Sequence, residues 1–330
     1  MPIPRNFPVA AGIAGLLISF FSPASVPAES FVQTNLVSDI PGLATLTDRN
    51  LVDPWGVSFG ATSPFWMSDN GTNLSTLYTG TPTVNSLVVS VPGSPTGQVN
   101  NGNSSAFLLS NGNNLAASFI FATQSGTILG WNGGSGTNAV TQYTDSAASY
   151  TGLAIGTSGT GTYLYAANMS GSVDVLDSSF HPVTLAGHFT DPSLPAGYVP
   201  YNVQAIGGEL YVTYVRYNAG GDEIPSGIVD IYRTDGTFVS RFSSSSVLDA
   251  PWGITLAPNA FGAFGGDILI GNFLNGEINA FDAITGTYIG TLEGSNGQPI
   301  ANPGLWALDF RTGRRRQQPR CPLLHGRHQR

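Results

Sequence analysis

Apolar residues along this chain fall into short runs, many alternating with polar residues, and glycine, asparagine, aspartate or proline separates one run from the next. Such runs read as β-strands joined by tight turns. The runs recur in sets. Asp53-Pro54-Trp55-Gly56-Val57-Ser58 is restated far downstream as Ala250-Pro251-Trp252-Gly253-Ile254-Thr255, and each copy is followed by a second apolar run, Phe65–Gly71 after the first and Ile268–Phe273 after the second. Between them, Ser105–Leu109 leads to Phe119–Thr123 and Gly126–Trp131; Tyr150–Ile155 leads to Tyr163–Asn168 and Gly171–Asp177; Tyr201–Ile206 leads to Leu210–Tyr214 and Gly227–Tyr232. A last unit opens at Leu305–Phe310, and Phe31–Val37 reads as a lone strand ahead of the first.

Spread over four repeats, the interval from Trp55 to Trp252 gives a period of about 49 residues, the scale of a propeller blade. Val57, Ala106, Leu153, Val203 and Ile254 keep that pitch and mark the expected inner strands. One such unit cannot bury both faces of its sheet, but units set radially bury one another. The pattern therefore predicts an all-β chain folded as a six-bladed β-propeller whose last blade is incomplete, with a solenoid or a pair of sandwiches as the alternative. Gly56, Gly152 and Gly253 belong on the innermost strands, where small residues relieve crowding around the axis.

Composition supports the all-β reading: 41% of residues are hydrophobic, 11% aromatic and only 10% charged, with 42 glycines. There is no lysine, and six of the arginines lie between Arg314 and Arg330. The body between leader and tail holds all 20 acidic residues against five arginines, a surface that repels phosphate backbones, so nucleic-acid binding is excluded as an expectation. Residues 1–28 carry one charge, Arg5, an apolar stretch from Val9 to Phe21 and small residues up to Ala28, the form of a secretory signal peptide. That stretch is too short to span roughly 30 Å of hydrocarbon. The expected organisation is a signal peptide at 1–28, a propeller at 29–313 and an aberrant basic tail at 314–330, in a secreted monomer, extracellular or periplasmic, with no transmembrane segment in the mature chain. Cys321, the only cysteine, lies in the tail, so no intrachain disulfide can staple the body.

The tail breaks the pattern of the body. It holds half the arginines, the cysteine and two of the four histidines at the place where the next strand of the last unit is due. A basic interaction tail is one reading. A shifted reading frame is the other: with suitable synonymous codons, Arg315–Gln329 read one base later gives GGNNPDALYFTAGIN, which resembles the Leu164–Asn168 run of the third unit.

Propellers bind where the loops into their inner strands converge on the channel, which makes Asp53, Trp55, Tyr201, Asn202, Gln204, Asp249, Trp252 and Trp306 the candidate ligand-binding residues at the channel mouth. Packing between blades is the competing role for the tryptophans, and a turn or cap for the two aspartates. Asn70, Asn168 and Asn272 recur at corresponding corners and, with Asp69 and Glu277, offer oxygen ligands for Ca2+ or another divalent cation. Positive-φ turn geometry is the competing reading of those asparagines. His181 and His188 sit on a proline-bearing linker with no visible partner, and no nucleophile elbow, P-loop, EF-hand or zinc-binding pair is present. No catalytic residue can be named.

The Pro-Trp-Gly pair, together with Tyr201-Asn202-Val203-Gln204, Leu305-Trp306-Ala307-Leu308 and the leader, resembles a bacterial family of secreted proteins of unknown function. The resemblance implies a six-bladed NHL-like propeller, in some members with a PEP-CTERM type sorting tail. Similar propellers include lactonases with a central divalent cation, lyases that open cyclic peptides, and binding modules. The function expected is a binding or interaction module for an extracellular ligand, glycan or protein, with a metal-dependent hydrolase or lyase of the lactonase type as the alternative.

The frame reading has a direct test. Resequencing the gene should show the shift upstream of Arg315, and an unbroken frame would leave a genuine basic tail.

Overall fold

The computed structural model describes residues 30–81, 83–110 and 114–311, and the backbone of 323–325. The expected leader at 1–28 and nearly all of the tail at 314–330 lie outside the described residues. Strands dominate, and the helical elements among the described residues are three short 3-10 turns. No helix among them is long and apolar enough to cross a membrane.

Five antiparallel sheets, each connected in sequence order, form five blades. Blade one consists of Pro54–Ser58, Phe65–Asp69, Leu74–Tyr78 and Val89–Ser90. Blade two consists of Pro95–Asn100, Phe119–Thr123, Thr127–Trp131 and Val140–Thr144. Blade three has three strands, Tyr150–Ser158, Gly161–Asn168 and Ser172–Leu176. Blade four consists of Tyr198–Ile206, Glu209–Arg216, Ile228–Arg233 and Phe238–Ser243, and blade five of Pro251–Leu256, Ile268–Asn272, Ile278–Phe281 and Tyr288–Thr291. Separate apolar clusters fill the spaces between neighbouring blades, for example Trp66, Phe119 and Phe121 between one and two, and Ala154, Tyr165, Val203 and Val212 between three and four. Burial falls from axis to rim: Pro54–Ser58 is buried throughout, whereas Val140–Thr144 is partly exposed at every position.

This corrects the expectation of six blades. Among the described residues the last unit provides Leu305–Leu308, paired with the short Leu323–His325, and a two-stranded sheet of that length makes no blade. The chain's other end covers this place. Phe31 stacks on Phe261 and Phe264 of blade five at 5.0 and 5.8 Å, its amide donates to Glu293 O, and Gln33 Nε2 donates to Asn302 Oδ1 at 2.8 Å. The segment then runs to blade one, where Tyr78 Oη donates to Asp48 Oδ2 at 2.8 Å and Leu51 joins the core. The lone strand expected at Phe31–Val37 is reduced to Val37–Ser38, paired in parallel with Leu46–Thr47.

A second correction concerns blade two. Its inner strand is Pro95–Asn100, not the run around Ala106. Ala106–Leu109 is a loop: Phe107 has a left-handed backbone (φ 60°) and is fully buried, packed on Phe180. Its hydrophobicity comes from this packing, not from a strand.

Inner strands approach closely enough to exclude side chains. A Cβ on Gly56 would lie 2.5 Å from Thr96 O, one on Gly97 2.6 Å from Gly152 C, one on Gly152 2.7 Å from Asn202 Cα, and one on Gly253 2.9 Å from Leu308 Cγ. At the remaining junction between full blades, Asn202 Nδ2 donates across to Trp252 O at 2.8 Å. Farther out, Arg241 bonds Asp230 Oδ1 through Nε at 2.6 Å and Asp191 through Nη2, tying the linker between blades three and four to blade four.

Gly97→Ala should therefore destabilise the fold by about 2–3 kcal/mol, because backbone, not a flexible side chain, blocks the new methyl. Thermal unfolding followed by circular dichroism should show Tm lowered by roughly 4–8 °C. Gly133→Ala, with no atom within 4 Å of its Cβ, is the control and should stay within about 0.5 kcal/mol of wild type.

Candidate functional site

Every inner strand of the five blades breaks register just before the glycine or its equivalent: between Pro54 and Val57, Pro95 and Gln98, Tyr150 and Gly152, Pro200 and Asn202, and Pro251 and Gly253. A bulge re-aims the side chain it carries. The residues so placed include Trp55, Thr96, Thr151, Tyr201 and Trp252, and Trp306 occupies the matching position on Leu305–Leu308. Thr96 Oγ1 donates to Tyr150 O at 2.8 Å, and Trp252 Nε1 donates to Thr151 O at 3.0 Å, linking blade five to blade three.

The large side chains meet one another. Trp55 stacks on Trp306 at 3.6 Å, Trp252 meets Trp306 edge-on at 5.8 Å, and Tyr201 and Phe273 pack on Trp306 at 5.8 and 4.3 Å. Asp53 takes both indole donors, Trp55 Nε1 at 3.2 Å and Trp306 Nε1 at 3.4 Å. Trp306 and Tyr201 keep 1% exposure, and Trp55 and Trp252 4%, so these four candidates form an aromatic plug inside one core cluster. Asp249 lies on the loop into blade five, where its amide donates to Asn272 Oδ1 at 3.1 Å. Burial raises its pKa, partly opposed by the Asn275 amide.

Next to the plug is a small axial cavity, about 20 Å3, lined by Gln98, Asn202, Gln204, Trp252 and Asp309 among others. It has room for about one water molecule. Asn202 is engaged by the Trp252 carbonyl, and Gln98 Nε2 donates to the carbonyls of Gly56 and Trp66. Asp309 is pushed up to about 6 by burial, which the hydrogen bond from the Phe310 amide only partly offsets. Gln98 and Asp309 were missed in the sequence. Pro95-Thr96-Gly97-Gln98 repeats the Pro-x-Gly signature of Pro54-Trp55-Gly56 without its tryptophan, and that signature could have found Gln98.

The proposed cation ligands are not brought together. Asp69, Asn168 and Asn272 sit opposite Pro54, Tyr150 and Pro251, so the equivalent corners belong to blades one, three and five, and Asn70 is one residue past its corner. Asn168 Oδ1 accepts from the Ser149 and Ser170 amides, and its Nδ2 donates to Asp174. Asn272 accepts from the Asp249 amide and donates to Val247 O. Asn70 donates to Pro95 O and Gln124 Oε1, and Glu277 accepts from Asn275. None of the three asparagines has positive φ; among the left-handed residues are instead Asp53, Ser94 and Ala250, each just before an inner-strand proline. Asp69 is fully buried with neither carboxylate oxygen hydrogen-bonded, and burial drives its pKa well above the usual range. It stands at the place held by an amide in blades three and five. Among the described residues, no three His, Cys, Asp or Glu side chains gather as a metal-holding group.

No family model matches the chain. Two relatives come from Acanthamoeba polyphaga mimivirus. Uncharacterized protein R648 is 34% identical over 300 residues, covering 83% of this chain and 72% of its own length, and uncharacterized protein L690 is 29% identical over 296 residues, covering 83% and 77%. A structural genomics protein of unknown function from Bacteroides thetaiotaomicron superposes with a TM-score of 0.54 at 11% identity, over 78% of this chain and 64% of its own. Virginiamycin B lyase from Staphylococcus aureus gives a TM-score of 0.44 at 10% identity, over 77% and 73%. Likeness at such identities concerns the fold alone. The viral relatives and the five blades overturn the bacterial six-bladed family expected from the motifs.

Asp309 gives this site a pH signature. Its folded pKa lies above the unfolded value of about 3.9, so the acid form favours the fold, and stability is lost as pH rises from about 4 to about 6. Asp309→Asn should be more stable than wild type by about 2 kcal/mol at pH 7.5, a gain that disappears below pH 4. Denaturant melts across that range check it; a gain independent of pH would contradict it.

Proposed function

We propose a function from one premise: the chain belongs to the family of the mimivirus uncharacterised protein R648. Within that family this propeller acts as a binding module, exported by its leader, that meets a glycan or protein on its outer surfaces and not in its channel. The observation that carries this reading is the filled axis. Trp55, Tyr201, Trp252 and Trp306 pack into one plug, and the space beside them holds about a single water molecule.

Hydrolysis or elimination of the lactonase or lyase kind needs an acid and a base, or a cation, facing space for a substrate. Asn202 and Gln98 at this axis are engaged by neighbouring carbonyls, and Asp309 is the one carboxyl lining the cavity. The acidic balance of the body, 20 carboxylates to five arginines, favours partners that are neutral or basic.

Retention of the full chain on arrays of immobilised glycans and proteins, measured beside hydrolysis of a panel of lactones, tests the proposal. The expected outcome is retention on at least one array, unchanged in Asp309→Asn, with no turnover. Lactone hydrolysis that is lost in Asp309→Asn would sink it.

A further inference from the structure

Blade three is the one blade of the five with three strands, and the reason lies in the linker that follows it. After Ser172–Leu176 the chain begins a fourth strand: Pro182 bridges to Leu176, and the Val183 amide donates to Val175 O at 2.9 Å. It then leaves. The Gly187 amide donates to Asp235 O and the Phe189 amide to Gly236 O, both at 3.0 Å, and Arg241 holds Asp191, so the linker is attached to blade four. This diversion requires left-handed backbone at both His188 (φ 55°) and Phe189 (φ 50°), a strain of roughly 1–2 kcal/mol per residue. Strain of this size in two successive non-glycine residues suggests a functional site.

The departing linker leaves half of the third strand's outer edge open. Outward backbone groups recur every second residue in an antiparallel strand. Val175 uses its outward carbonyl on Val183, and two residues earlier the outward amide and carbonyl of Val173 find no backbone partner among the described residues. A groove of about 340 Å3 wraps this edge, within the range of roughly 300–1,000 Å3 typical of ligand sites.

The two sides of the groove differ in chemistry, because alternate residues of a strand face opposite ways. Toward blade two it presents Asp174, Asp145 and Tyr143; toward blade four it presents Val175, Leu185 and Phe189. Asp145 and Asp174 are half-buried, and no arginine lines the groove. Burial and these two carboxylates together raise the Tyr143 hydroxyl pKa.

We propose that this groove is a strand-addition site for an extended peptide that alternates basic and apolar side chains. The peptide backbone pairs with Val173, its basic side chains face Asp145 and Asp174, and its apolar ones face Val175, Leu185 and Phe189. Backbone bonds supply affinity and the alternation supplies selectivity. The inference rests on the binding-module reading and gives it a location and a class of partner.

The test uses the full chain and a fluorescein-labelled hexapeptide of alternating lysine and valine, followed by fluorescence anisotropy. The alternating peptide should bind, with affinity lowered about threefold by Asp145→Asn, the worth of one charge pair at the surface. A glutamate–valine peptide and a backbone N-methylated peptide should each bind at least tenfold more weakly, and the same residues in two blocks should also lose affinity. Hydrogen exchange at the Val173 amide should be fast in the free protein and slow with peptide. No binding, equal binding of the block peptide, or a Val173 amide protected before peptide is added would each overturn the proposal, the last because a segment of the chain already holds the edge. Retention on the glycan or protein arrays alongside such a result would leave the binding-module reading standing, whereas failure of both experiments would remove it.

Discussion

Backbone meeting backbone around the axis is the constraint on which the rest of this structure depends. Where Gly56, Gly97, Gly152 and Gly253 lie against the next strand, even a methyl group collides with main chain. Only a side chain that replaces that contact with a bond can take such a position, and Asn202 does so through the Trp252 carbonyl. The bulge before each of these residues is the geometric complement. It lets a strand run close to its neighbour while turning the preceding side chain into the centre, so that crowding at one residue and an inward aromatic at the one before are parts of a single arrangement.

That arrangement decides what the centre can do. Four large aromatic residues from different strands bury one another, and the two indoles of Trp55 and Trp306 share Asp53. The interior is thereby devoted to cohesion, in a chain that has no cysteine within the described residues to staple its ring. At the rim the blades differ from one another: the long hairpin of blade four between Arg216 and Glu223, and the three-stranded blade three.

Much of this was legible in the sequence. The repeated Pro-Trp-Gly marks inner strands of blades one and five, Tyr150–Ile155 and Tyr201–Ile206 mark those of three and four, and the tryptophans meet as their shared position implies. Blade two was misread because Pro95-Thr96-Gly97-Gln98-Val99-Asn100 is mostly polar, though fully surrounded, while Ala106–Leu109 is apolar for loop packing. Periodicity reports burial and not the element that is buried. The corner asparagines pointed to positive φ, yet at the entries to the inner strands it is Asp53, Ser94 and Ala250 that are left-handed, invisible beforehand because a residue before proline ordinarily prefers extended backbone. Blade count also escaped, since an inner strand such as Leu305–Leu308 carries the repeat signature whether or not a whole blade stands behind it.

The stretch from Phe31 to Leu51 lies across the gap between blade five and blade one, and its bond from Gln33 to Asn302 joins residues 269 positions apart. A nascent chain therefore emerges with one half of its clasp already made and must carry Phe31 uncovered until blade five has been synthesised. Contacts of such sequence separation slow folding and prolong exposure of apolar surface. Ring closure therefore waits for the synthesis of Asn302, and the order of synthesis, as much as the energy of the finished contacts, bears on how long Phe31 stays uncovered.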